Sequence, residues 1–130
     1  MEFHENVPPR RFSAGNGVTR ELLDCGTLRL DPSEQVTLLT ATSLEYDVVR
    51  KEWGYYATPS LNGRLADNDL RGVLAKNRSG KFYVLLVEKG HESEFVQYLT
   101  EEEMSVVAWM DSNRSLAELE RGVEAVRRLP

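Results

Sequence analysis

The chain has 130 residues, 41% of them hydrophobic, a net charge of −5 and a single cysteine, Cys25. That length suits one domain burying roughly two-thirds of its unfolded surface, and the apolar fraction excludes disorder over most of it. One cysteine excludes an internal disulfide and a thiolate metal cluster, and no apolar run approaches the ~18 residues of a membrane span.

The N-terminus lacks a basic-then-apolar leader, so the mature chain is expected to be intracellular, in the cytoplasm. Charge is unevenly placed. Residues 50–81 hold seven basic and three acidic groups, whereas residues 82–120 hold two and nine. An acidic protein with one basic segment lacks the broad basic face that nucleic acid requires. The same segment is large enough to hold one small anion.

Met1 to Val18 has two prolines, two glycines and no sustained period, and reads as a flexible arm ahead of a single domain over residues 19–130. Thr27–Leu30 alternates polar and apolar residues, Asp31–Glu34 is a turn, and Gln35–Leu39 resumes in residues that favour strands. A further strand is predicted over Tyr46–Tyr56. These short strands resemble the start of a small β-barrel of the cupin type. The histidine-rich metal site of such barrels cannot be assembled from His4 and His91 alone, and no metal is expected.

Leu70 to Val87 reads as a hairpin around Asn77-Arg78-Ser79-Gly80, with Phe82–Val87 as a central strand buried on both faces. A helix of about twelve residues follows from Glu92, with Phe95, Val96 and Leu99 as its inward stripe. Ser105–Met110 is a second buried strand, and the interval from Val87 is long enough for a crossover to a parallel neighbour. Ser115-Leu116-Ala117-Glu118 fits a capping box opening a last helix, in which Leu116, Leu119, Val123 and Val126 share one face and Arg127 and Arg128 close the C-terminal end. The predicted fold class is α+β: N-terminal antiparallel strands, a β-hairpin and a C-terminal β-α-β-α unit.

The stretch from Trp53 to Arg64 carries the functional expectation. Trp53, Tyr55 and Tyr56 offer flat faces for a sugar or base. Thr58, Ser60 and Asn62 lie two apart, so in an extended loop they form one hydrogen-bonding row. Arg64 could clamp a carboxylate or phosphate in bidentate fashion, with Lys76 and Arg78 adding charge from the hairpin. The reading is a small ligand-binding or accessory protein that holds an anionic molecule, such as a sugar phosphate or nucleotide-sugar. One alternative is an enzyme using Tyr55 or Tyr56 as acid or base and Arg64 to stabilise developing charge. Another is a protein–protein module with aromatic anchors, self-associating through an edge strand into a homo-oligomer.

Other groups carry weaker signals. Asp67-Asn68-Asp69 lacks the glycine and distant glutamate of a calcium loop, Cys25 has nothing along the chain to activate it, and Glu45 with Asp47 is a common surface pairing. Phosphate-loop and dinucleotide glycine patterns are absent from the sequence, and no cofactor is expected.

Overall fold

The computed structural model describes residues 1–57 and 59–123. They form an α+β domain of eight strands and three helices, with the strands divided among three antiparallel sheets.

β1 (Glu2–Ala14) and β2 (Arg20–Arg29) make a long two-stranded ribbon. Residues 1–18, read from sequence as an arm, therefore consist mostly of strand. Pro8 and Pro9 break the strand pattern in sequence but fall in a bulge between the Glu5–Gly26 and Arg10–Asp24 pairs, where a missing ladder donor is tolerated. Asn6 fills the bulge by donating from Nδ2 to the Asp24 carbonyl at 3.0 Å. The ribbon's tip rests on the body: Asn16 N–H donates to Glu102 Oε2 at 2.7 Å, and Arg20 donates to Glu102 Oε1 at 2.6 Å.

β3 (Gln35–Leu39), β4 (Glu45–Lys51) and β5 (Gly54–Tyr56) form a meander. The single strand expected over residues 46–56 is thus folded back on itself. Lys51 pairs with Gly54, leaving Glu52-Trp53 as a two-residue turn, and Gly54 takes the φ of 151° that follows it.

β6 (Leu70–Asn77), β7 (Phe82–Glu88) and β8 (Met104–Trp109) form the third sheet, with β6 in the middle. The predicted hairpin is present: Lys76 pairs with Phe82, and Gly80, at φ 86°, donates to the Asn77 carbonyl at 3.1 Å. The expected burial is corrected. β7 is an edge strand that leaves Phe82 and Val84 exposed, β8 exposes Val106 and Val107, and the buried centre is β6 with Val73 and Ala75. An apolar run alone does not say whether both faces are covered.

The crossover is corrected too. The chain leaves β7, passes through α2 (Glu92–Glu101) and returns as β8 running the same way as β7. β6 lies between them, so β8 pairs antiparallel with β6 instead of parallel with β7. Connection length permits two strands to run alike but does not specify what separates them.

α2 covers one face of this sheet, with Leu99 buried and Phe95 edge-on to Trp109 at 5.9 Å; Val96, expected to point inward, is exposed. α1 (Arg64–Asp67) covers the other face near the start of β6. Leu65 is fully buried there, and a Cβ on Gly72 would lie 2.8 Å from Leu61 Cδ2. α3 (Asn113–Val123) begins before the predicted cap. Ser112 Oγ accepts from Ser115 N at 3.1 Å and Ser115 Oγ accepts from Ser112 N at 3.3 Å, so the reciprocal box is Ser112 with Ser115, not Ser115 with Glu118. Val126, Arg127 and Arg128 lie outside the described residues. No helix among the described residues is long and apolar enough to cross a membrane.

Candidate functional site

Strand alternation separates the aromatic residues that the sequence groups together. Trp53 occupies the β4–β5 turn and is 74% exposed. Tyr55 and Tyr56 are consecutive on β5 and so point to opposite faces of the sheet. Tyr55 pairs with Arg50, whose guanidinium carbon lies 5.3 Å from the tyrosine ring. Tyr56 pairs with Val49, on the face that carries Glu45 and Asp47.

Arg64 is already engaged on that face. Its Nε donates to Asp47 Oδ2 and its Nη2 donates to Glu45 Oε2 at 2.6 Å. Asp47 is only 6% exposed, and Thr37 Oγ1 donates to its second oxygen at 2.9 Å. The Arg64 hydrogen bond, helped by Thr37, holds the Asp47 carboxyl below its ordinary range, and the two carboxylates push the Arg64 guanidinium further towards its charged form. The guanidinium expected to clamp an anion thus joins α1 to the meander.

The remaining residues of that reading lie elsewhere. Ser60 Oγ accepts from the Arg64 N–H at 2.9 Å, as a local turn bond, and Asn62 Nδ2 donates to Asn113 Oδ1 at 2.7 Å, tying the loop to α3. Thr58 lies outside the described residues. Lys76 and Arg78 sit at the opposite end of β6 from α1, roughly 20 Å along the strand at its ordinary rise. There Lys76 lies 5.4 Å from the Phe82 ring centre, and Arg78 pairs with Glu103 at 3.5 Å. Among the described residues, no group of three or more His, Cys, Asp and Glu side chains is arranged to hold a metal ion.

The structure instead presents apolar surface. An open hollow of about 540 Å³ is lined by Tyr56, Pro59, Ser60, Leu61, Val84 and Met110. From Val84 the apolar strip continues to Phe82, two residues along the same face of β7, and across the ladder to Leu74. Lys76 shares this face, opposite Phe82, while Arg78 and Lys81 stand beside it at the β6–β7 turn. The sequence shows the residues of this strip but not its exposure, because the run Phe82–Val87 reads equally well as buried on two faces or on one.

The structure exposes 9578 Å². A compact folded monomer of its 14.8 kDa exposes about 7,000 Å², so the surplus is roughly 2,600 Å². Compared with protein-family models, with curated proteins and with solved structures, the chain matches none.

Proposed function

We propose that this chain is a protein–protein interaction module, and that its exposed apolar surfaces, chiefly the strip from Tyr56 through Val84 to Phe82, are covered by another polypeptide. The observation that carries this reading is the exposure of Tyr56, Val84 and Phe82 beside the open hollow. Single exposed apolar residues are ordinary on monomers, but a contiguous strip on an under-buried chain marks an interaction site.

The partner lies over the hollow beside Pro59 and Leu61, with Phe82 and Tyr56 as large anchors of the kind that dominate binding energy. Lys76, Arg78 and Lys81 at one end favour an acidic rim on the partner. Among the described residues β7 is paired on one side only, so its outer edge offers backbone groups to an added strand. The small-anion reading has less support, since Arg64 is occupied by two carboxylates and Lys76 and Arg78 stand far from it.

Photo-crosslinking tests the proposal. A photoreactive phenylalanine analogue placed at Tyr56, Phe82 or Val84 in cells that make the protein is expected to yield a discrete protein adduct. The same analogue at Arg29, on the polar face of the ribbon, is expected to yield none. Absence of an adduct at all three strip positions contradicts the module.

A further inference from the structure

The β1–β2 ribbon has one polar and one apolar face, and the register assigns each residue. Phe3 opposes Leu28, Arg10 opposes Asp24, Phe12 opposes Leu22 and Ala14 opposes Arg20, so all of these share a face. Glu2, His4, Arg11, Ser13, Glu21, Thr27 and Arg29 share the other with a single exposed leucine, Leu23, and there Arg11 pairs with Glu21 at 2.7 Å. Apart from its tip, which Arg20 fastens to Glu101 and Glu102, the apolar face lies open. Phe3 is 60% exposed, and Phe12, Leu22 and Leu28 are exposed as well.

This face sets a charged pair between two apolar ones, with Glu5 beside Gly26 as a further charge. At its middle, Arg10 donates through Nε and Nη2 to Asp24 Oδ2 at 3.2 and 3.1 Å. On one side lies the Phe12–Leu22 pair, with the Arg10 guanidinium 4.8 Å from the Phe12 ring centre. On the other lies Leu28, with the Phe3 ring leaning over Gly26: a methyl added at Gly26 would come within 2.9 Å of that ring. Along the face the order is Phe3–Leu28, Glu5–Gly26, Arg10–Asp24, Phe12–Leu22 and Ala14–Arg20. A two-fold rotation about the ribbon's long axis sets each β1 residue over its β2 partner in the other copy, so that Phe12 meets Leu22, Phe3 meets Leu28 and Arg10 of each copy lies beside Asp24 of the other.

We infer that the apolar face of the β1–β2 ribbon is a self-association surface whose occupant is the same face of a second copy of this chain. The inference rests on the reading above, that the chain works by binding protein, and it names one partner. Two arguments select a second copy over a foreign protein. The face is complementary in charge to its own image rotated about the ribbon axis, as an isologous interface must be. A standard interface removes about 800 Å² from each partner, well within the surface surplus of each chain. A two-stranded ribbon is also marginal in water unless one face is covered.

Sedimentation velocity on the full chain, from 1 to 100 µM, is expected to show a reversible species of twice the chain mass. Phe12→Glu and Leu22→Glu are each expected to weaken it at least tenfold, while Leu23→Glu, on the polar face of β2, changes it less than twofold. Where Phe12→Glu unfolds the ribbon by circular dichroism, the swapped chain Arg10→Asp/Asp24→Arg decides. It keeps its own charge pair and dimerises with itself, but mixed with wild type it brings like charges together and forms less than half the statistical amount of mixed dimer by native mass spectrometry. A monomer at every concentration, a dimer indifferent to Leu22→Glu, or statistical mixing with the swapped chain overturns the inference. A monomer that still crosslinks to another protein through Phe82 removes only the second copy. A dimer with no adduct at the strip removes the strip and leaves the ribbon.

Discussion

Arg64 of α1 donates to Asp47 of β4, while Leu65, the next residue, is buried on the opposite side against the β6 sheet near Gly72. One turn of helix thus fastens two sheets, one through a charge-assisted bond and the other through apolar packing. The segment that the sequence marks as a ligand loop also serves, in the fold, as a joint.

Removing the polar half of that joint is expected to act on stability. Arg64→Ala removes the guanidinium bonded to the nearly buried Asp47 and leaves the Thr37 hydroxyl bond, and the melting temperature is expected to fall by roughly 5 °C. Sugar phosphates and nucleotide-sugars are expected to leave the melting temperature of wild type unchanged. Differential scanning fluorimetry reads both; stabilisation by such an anion that vanishes in Arg64→Ala would restore the ligand site.

The apolar half is more costly to disturb. Leu65 is fully buried, and Leu65→Ala is expected to lose about 3 kcal/mol in urea unfolding. Gly72→Ala drives a methyl to 2.8 Å from Leu61 Cδ2 and is expected to lose about 1–3 kcal/mol. Leu61 also lines the hollow, so this variant is expected to weaken strip crosslinking as well.

Acid should loosen the molecule. The Asp47 carboxyl is held down chiefly by Arg64 and that of Glu102 chiefly by the Asn16 N–H, from ordinary values of 3.8 and 4.5. Carboxyls depressed in the folded state stabilise it above their unfolded pKa and lose that contribution as pH falls through the folded one. Stability is therefore expected to be level between pH 6 and 8 and to decline below about pH 4.5. Glu102→Gln is expected to lower stability at pH 7 and make the acid slope shallower, as measured by melting temperature against pH.

The α3 cap gives a local test. Ser112→Ala removes the oxygen that accepts from Ser115 N–H and is expected to lose about 1 kcal/mol, with faster amide exchange confined to the first turn of α3. Glu118→Ala is expected to leave that turn unchanged.

Much of the architecture was legible. The α+β class, the hairpin around Gly80 and the helix from Glu92 follow from turn chemistry and periodicity that act within a few residues. What was not legible depends on distant pairing. Pro8 and Pro9 hide β1 because the bulge that accommodates them is defined only against β2. Phe82–Val87 gives no sign of being an edge, since that depends on β8 joining β6 on its far side. The setting of the candidate site residues was not legible for the same reason. Composition gathers Trp53, Tyr55, Tyr56 and Arg64, but the two-residue turn at Glu52-Trp53 and strand alternation send the aromatics different ways. Nothing local announces that Arg64 answers Asp47, seventeen positions earlier.

Hydroxyl-radical footprinting read by mass spectrometry tests the central claim most directly, applied to the protein in its native extract and to the purified chain at low concentration. Tyr56 and Phe82 are expected to be oxidised several-fold more slowly in the extract, where a partner covers them, with Tyr83 as the internal comparison on the opposite face of β7. Equal oxidation of Tyr56 and Phe82 in both samples would mean that the strip faces water where the protein acts, and would contradict the account.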